Sequence, residues 1–215
     1  MKANMGYTNW GKEPSISRTV FTILKDFVVI ISLFSITFML IGRPVKVSGS
    51  SMYPTLIGAS NTSGNSGDYL LVKSKLWGDG FKQGDIVVAS IPEFKNGENI
   101  VKRIIAVEGQ LVEFHEDKDG YLHVYVDDVL QEEYFINEPM LSFGTIGEGF
   151  SMVVPENCYF LMGDNRNHST DSRSGEIGMV SEDNILGKVL FVIIPGIDRY
   201  IGGTRNWKRV GSVYK

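Results

Sequence analysis

The hydrophobic positions of this chain form one continuous block near the N-terminus and a series of short runs after it. Residues 27–42 read FVVIISLFSITFMLIG, sixteen positions without a charge, and apolar residues from Val20 onward extend the block upstream. Sixteen helical residues span only about 24 Å, whereas a hydrocarbon core is about 30 Å thick, so a span needs to begin near Val20. The pattern predicts a transmembrane anchor over residues 20–42, preceded by a segment over residues 1–19.

Two other interpretations of the block are a buried core helix and a cleavable secretory signal. Its few polar residues follow no helical stripe, which disfavours a helix of a soluble core. The charged leader is long, and IGRPVKV stands where a small-residue cleavage site belongs, which disfavours a cleaved signal. We therefore interpret the block as an uncleaved, single-pass anchor.

The charges that flank the block predict its orientation. The first 42 residues carry a net charge of +2, and only Arg43 and Lys46 follow directly after the block. By the positive-inside rule the N-terminus is cytoplasmic, and everything after residue 42 lies outside the cell membrane.

The short runs after the anchor have the period of strands. They are separated by Gly, Asn, Asp and Pro, which predicts a mainly β fold. The runs are YLLVKSKLW, DIVVASI, NIVKRIIAV, QLVEFHE, GYLHVYVDDVL, SMVVPENCYFLMG and ILGKVLFVII. We expect an antiparallel sheet or barrel core over residues 43–107 and 156–215, with an inserted β subdomain over residues 108–155. The glycine-rich stretch 57–67 is expected to be a surface loop without chemistry.

Composition narrows the possible functions. A net charge of −4 disfavours nucleic acid as a partner, and the single Cys158 can form neither an internal disulfide nor a cysteine-rich zinc site. We expect Cys158 to be a buried thiol.

Three segments carry candidate chemistry. The first is VSGSSMYPTL (residues 47–56), whose serines could also be simple turn residues. The second is NIVKRIIAV, in which Lys102 interrupts an apolar strand. Burial would lower the pKa of this lysine and make it a usable base, whereas on an edge strand it would extend into solvent. The third is MGDNRNHSTDSRSGEIG (residues 162–178), whose spacing does not match a calcium loop, so we predict no metal site.

Together these segments resemble the bacterial type I signal peptidases. SMYPTL is similar to the family's serine box, VKRIIAVEGQ to its lysine box, GDNRNHSTDSR to its GDN…SDSR box, and GDYLLVKS to the segment between the first two. The resemblance runs from the anchor to about Val192, and the order and spacing of the boxes agree. It implies a serine endopeptidase that cleaves signal peptides from exported preproteins.

The resemblance also implies roles for individual residues. Ser51, directly before Met-x-Pro, matches the nucleophile, and Lys102 matches the general base. Ser169, Asp171 and Arg173 match the supporting residues. The backbone N–H of Ser51 is one expected oxyanion donor. Gly49 occupies the position where Gram-negative members contribute a serine hydroxyl, so the second donor stays open, and glycine here is typical of the Gram-positive branch. The expected lining of the substrate pockets is Val47, Met52, Leu56, Ile100 and Val101.

Three alternative functions remain. A Ser-His-Asp hydrolase would use His168 with Asp171, but it would leave the lysine strand without a function. A self-cleaving repressor with a Ser-Lys dyad is disfavoured by the anchor and by the missing DNA-binding element. A non-catalytic partner in surface or pilus assembly would not need both Ser51 and Lys102. The main interpretation implies signal peptides and the lipid bilayer as partners, the protein-export translocon as a further candidate, and no cofactor.

Overall fold

The structure, a computed structural model, describes residues 16–60, 66–77, 80–198 and 202–214. In these residues the chain forms one α-helix, fourteen strands and five short 3-10 helices. The helix is α1 (Ile16–Ile41). The strands are β1 (Gly42–Lys46), β2 (Tyr69–Ser74), β3 (Ile86–Ser90), β4 (Asn99–Val107), β5 (Leu111–Glu116), β6 (Leu122–Val126), β7 (Val129–Leu130), β8 (Ser151–Val153), β9 (Cys158–Met162), β10 (Val180–Ser181), β11 (Ile185–Ile194), β12 (Ile197–Asp198), β13 (Thr204–Arg205) and β14 (Gly211–Ser212). The 3-10 helices are Lys75–Trp77, Lys95–Gly97, Arg166–His168, Glu182–Asn184 and Trp207–Arg209.

Helix α1 is long and apolar enough over Ile16–Ile36 to cross a membrane. Its apolar side chains in that stretch are exposed and none of the stretch is buried. The alternative of a buried core helix is therefore wrong for these residues. The helix begins at Ile16 and so includes Val20, the predicted start of the span. Residues 1–15 of the predicted segment 1–19 lie outside the described residues.

Most strands belong to one antiparallel sheet, in the order β1-β2-β11-β3-β4-β9-β10, with β14 added on β11. The mainly β prediction is confirmed. In the described residues no pairing joins β1 to β10, so the sheet is open and does not close into a barrel. Strand β1 lies at one edge, which suits Pro44 because proline cannot donate a ladder hydrogen bond.

A second antiparallel sheet, in the order β7-β6-β5-β8, lies within residues 108–155. It packs on the first sheet through an apolar cluster in which Phe114 and Val124 meet Phe160 and Met162 of β9. Residues 41–215 form one compact unit, so the two sheets share a core. The subdomain boundaries themselves stay a prediction.

Candidate active site

Ser51 begins a tight turn that is anchored by apolar side chains. The Tyr53 N–H donates to the Ser50 carbonyl (3.0 Å), and the Leu56 N–H donates to the Met52 carbonyl (2.8 Å). The side chains of Met52 and Leu56 are buried in a cluster with β2, β3 and β11. Ser51 itself is only half-buried, so the packing of its neighbours holds a partly accessible hydroxyl in place.

Lys102 lies on β4, which pairs with β3 on one side and with β9 on the other. Its side chain is only 4% exposed, and its Nζ lies 2.7 Å from the Ser51 Oγ, to which it donates a hydrogen bond. The alternative in which Lys102 extends into solvent from an edge strand is therefore wrong. The sheet brings together two groups that are 51 positions apart in the chain.

The segment after β9 holds the serine turn from the other side. The Asn165 N–H donates to the Ser51 carbonyl (3.0 Å), and the Asn165 Nδ2 donates to the Ser50 carbonyl (3.1 Å). Gly163 must be glycine here, because a Cβ would collide with the Ser51 carbonyl oxygen and the Ser169 hydroxyl. The three segments singled out in the sequence therefore meet at Ser51.

Asp171 and Arg173 form a buried ion pair beside this junction. The Arg173 Nε and Nη2 each lie 2.9 Å from one carboxylate oxygen of Asp171, and the Gly163 N–H donates to the same carboxylate (3.0 Å). Burial acts to raise the pKa of Asp171, but the hydrogen bonds and charge of Arg173 outweigh it and hold that pKa below its ordinary value. The Ser169 Oγ is buried, and its interaction with the Asp171 carboxylate also acts to lower the pKa of Asp171.

A second buried ion pair was missed by the sequence reasoning. The Arg103 Nε and Nη2 lie 2.8 and 2.6 Å from the two carboxylate oxygens of Asp164, and the Thr55 Oγ1 donates to the same carboxylate (2.5 Å). The ring of Phe135 stacks on the Arg103 guanidinium at 4.0 Å. One signal was present: Arg103 also interrupts an apolar strand, on the face opposite Lys102, and a cation at such a position needs a partner.

An open cleft of about 760 Å³ lies beside Ser51 and Lys102. Of the predicted pocket residues, Ile100 and Val101 line it. Val47, Met52 and Leu56 are instead buried in the apolar cluster beneath the serine turn. Their assignment to substrate pockets stays a prediction.

Gly49 adopts a positive φ of 73°, which favours glycine. Its N–H donates to the Ala59 carbonyl (3.0 Å), and no atom lies within 4 Å of the position that a Cβ would take. Among described residues the Ser51 N–H has no hydrogen-bond acceptor. Gly49 thus leaves open space near Ser51 and offers no side-chain donor.

His168 lines the cleft but is exposed, and the partner of Asp171 is Arg173. The Ser51 hydroxyl receives its hydrogen bond from Lys102. The geometry therefore favours the serine-lysine arrangement over the histidine alternative. Within the described residues, no group of three or more His, Cys, Asp or Glu could hold a metal ion.

Comparison with known proteins gives one consistent result. The family "Signal peptidase, peptidase S26" matches residues 20–194. Signal peptidase I U of Bacillus subtilis (strain 168) is 35% identical, with 83% of this chain and 90% of the relative covered. Signal peptidase I T of the same organism is 32% identical, with 88% and 86% covered. The crystal structure of a signal peptidase I from Enterococcus faecalis V583 is 26% identical, with a TM-score of 0.40, 51% of this chain covered and 97% of that chain.

The family match takes in Ser51, Lys102 and the whole GDN segment, and it ends before the C-terminal tail. Since this match spans most of the chain and curated relatives exceed 30% identity over more than four fifths of it, the chain belongs to the signal peptidase family, peptidase S26.

Proposed function

We propose that this protein is a membrane-anchored serine endopeptidase that removes N-terminal signal peptides from exported preproteins, with Ser51 as nucleophile and Lys102 as general base. Membership of the signal peptidase family supports the reaction. The observation that carries the mechanism is the 2.7 Å contact between the Lys102 Nζ and the Ser51 Oγ at a buried position.

In the acylation step, the Ser51 Oγ attacks the scissile carbonyl carbon while its proton passes to a neutral Lys102. A serine hydroxyl is a weak nucleophile until an adjacent base accepts this proton, and burial favours the neutral lysine that can do so. The tetrahedral intermediate then expels the amine of the mature protein, which takes the proton from Lys102. The signal peptide remains as an ester on Ser51.

In the deacylation step, water attacks the ester and gives its proton to Lys102. Lys102 returns that proton to the Ser51 Oγ, and the signal peptide leaves with a free carboxylate. The reaction as written uses no metal ion and no cofactor.

The developing oxyanion needs donors that are in place before the reaction. The Ser51 N–H is the first donor, because no described acceptor engages it. The space left open at Gly49 gives room for a water as the second donor.

Substrate selection follows from an extended peptide beside Ile100 and Val101 in the cleft. Backbone hydrogen bonds would fix its register, while shallow pockets select small residues at the positions one and three before the cut. Val47, Met52 and Leu56 would form the floor of these pockets from below. Alanine at both positions should be cleaved best, and free cleavage after bulky residues would contradict this part.

The membrane part of the proposal rests on α1 and on the flanking charges. The helix crosses the bilayer once with the N-terminus in the cytoplasm, so the sheets face the outside. The lipid bilayer and emerging preproteins are then the partners, and the export translocon is a neighbour in the same membrane.

The test is cleavage of a preprotein in membranes by the wild type, Ser51→Ala and Lys102→Ala. Both variants should lose cleavage and remain in the membrane fraction. Ser151→Ala on β8 and Lys82→Ala on the surface are matched controls that should cleave normally. Normal cleavage by Lys102→Ala, or inactivation by His168→Ala, would contradict the assignment. An accessory role in assembly predicts no cleavage by any form.

A further inference from the structure

The C-terminal tail, residues 195–214, lies outside the family match and returns to the serine turn. It forms the β12–β13 hairpin, the 3-10 helix Trp207–Arg209 and strand β14, which pairs with β11. In the described parts of the tail, the Arg209 side chain contacts Asp68, which is buried, and the end of the serine turn.

Arg209 binds a carboxylate that is completely buried. Its Nη1 and Nη2 lie 2.8 and 2.9 Å from the two oxygens of Asp68. The same carboxylate accepts the Ile57 N–H (2.8 Å) and the Gly196 N–H (2.5 Å). Asp68 is 0% exposed, so it depends on these donors, and Arg209 is the charged one among them.

Arg209 also contacts the serine turn directly. Its Nη2 donates to the carbonyl of Thr55 (2.9 Å), four residues after Ser51. Asp68 binds both backbone groups of Ile57, two residues further along. The Asp68 N–H donates to the Ile57 carbonyl (2.8 Å), and the Asp68 carboxylate accepts the Ile57 N–H. The end of the turn is therefore fixed by Arg209 and Asp68 together.

Close backbone contacts extend this constraint to Val47, four residues before Ser51. The Val47 N–H donates to the Asp68 carbonyl (2.9 Å), and a Cβ at Gly67 would collide with the Val47 carbonyl. A Cβ at Gly196 would likewise collide with the Ser66 carbonyl. The backbones of three segments are therefore in direct contact: the tail at Gly196, residues 66–68, and the serine segment at Val47. A shift of one segment would displace the other two.

We propose that Arg209 is a positioning residue for the nucleophile: it holds Thr55 and Asp68 so that the Ser51 Oγ stays within hydrogen-bond distance of the Lys102 Nζ. The inference rests on the proposed function. It adds that the tail, which the family match does not include, is part of the active-site support.

The experiment compares full-length wild type, Arg209→Ala, Arg209→Lys and Lys208→Ala in steady-state cleavage of a signal-peptide substrate. Displacing a catalytic group by a fraction of an ångström to 1 Å lowers turnover strongly, so Arg209→Ala should lower kcat about ten- to a hundredfold with KM within about twofold of wild type. Arg209→Lys restores one donor and should recover part of kcat. Lys208, the exposed neighbour, should be neutral on alanine substitution.

A loss of activity caused by unfolding of the variant must be distinguished from one caused by displacement of the Ser51 side chain. Thermal unfolding followed by circular dichroism sets an assay temperature at which all variants are folded. At that temperature the acid limb of the pH profile of kcat should shift in Arg209→Ala, because the environment of Lys102 changes. If the variant only contained a smaller fraction of active enzyme, the acid limb would stay in place. An unchanged kcat in folded Arg209→Ala, or a loss of kcat with an unmoved acid limb, would overturn the inference. If Ser51→Ala still cleaves, the proposed function fails instead.

Discussion

The two faces of strand β4 each bury a basic side chain, and the two side chains have different partners. On one face the Lys102 Nζ contacts the neutral hydroxyl of Ser51, and the cleft opens beside it. On the other face Arg103 contacts both oxygens of Asp164 and the carbonyl of Gly84, and it stacks on Phe135. In the proposed mechanism, adjacent residues on one strand therefore serve as a base and as a structural cation.

The difference follows from the chemistry of the two side chains. Burial favours the neutral form of lysine, and the neutral form can act as a base. Arginine stays protonated, so it needs a carboxylate in a fixed two-point geometry. The comparison predicts that the two positions cannot exchange their residue types.

The largest expected effect is that of Lys102→Arg. The substitution keeps a cation but removes the base, so kcat should fall by about 10²–10⁴-fold, the usual contribution of general base catalysis. The measurement is single-turnover cleavage of a signal-peptide substrate. Lys73→Arg on β2 is the control and should stay near wild type. If Lys102→Arg retains activity, the cation and not the base matters on this face.

The next effect is that of Arg103→Ala on stability. Removing one partner of a buried pair leaves the Asp164 carboxylate uncompensated, which costs about 3–5 kcal/mol in the free energy of unfolding. Urea unfolding of the folded variant measures it. The exposed pair Lys75–Asp183 is the contrast: Lys75→Ala should cost about 1 kcal/mol or less. Equal losses at both sites would show that burial does not distinguish them.

A third prediction concerns the stability of the fold at low pH. The folded pKa of Asp171 is held below its unfolded value, so its ionised form stabilises the fold at pH values above the unfolded pKa of about 4, and this is lost as the pH falls through the folded pKa. Asp171→Asn should be less stable than wild type at pH 7, and the difference should shrink toward pH 2. Unfolding curves across this range measure it. A constant difference would mean that the carboxylate charge contributes nothing.

The smallest effect is expected at Tyr214, on the Arg103 side of the sheet. Its hydroxyl accepts from the Ile86 N–H (2.9 Å) and donates to the Val189 carbonyl (2.9 Å), so Tyr214→Phe should cost about 1–2 kcal/mol. Burial also raises the pKa of Tyr214 to about 12. Its neutral form therefore stabilises the fold below about pH 10, and this is lost between about pH 10 and 12. Tyr214→Phe should lack that alkaline loss in melting curves.

The sequence predicted the long strands well and the short ones poorly. The runs containing β2, β3, β4 and β11 have clear apolar periodicity, and each forms a strand. Strand β1 follows the anchor directly and contains Pro44, so it has no strand signal of its own; it pairs with β2 because the sheet offers an edge there. The stretch 57–67, expected to be a plain surface loop, has buried ends at Ile57 and Gly67 because the serine segment packs on them.

The sequence likewise located some residues of the candidate site and missed others. Ser51, Lys102 and the segment from Gly163 to Arg173 were located by their motifs. The Arg103–Asp164 and Asp68–Arg209 pairs were not, since their members lie 61 and 141 positions apart and no local pattern links them. Arg209, the partner of Asp68, also lies outside the residues that the family model matches.

By itself the sequence determined the apolar block, the strand periodicity and the four motifs in their order, because each depends on residues that are neighbours in the chain. The tertiary structure decided that Lys102 is buried and lies 2.7 Å from Ser51, and that Arg103 on the same strand is paired. These facts depend on the register of β4 between β3 and β9 and on the packing of the serine turn. A reactive pair requires a distance set to within a few tenths of an ångström, and only the folded chain fixes it.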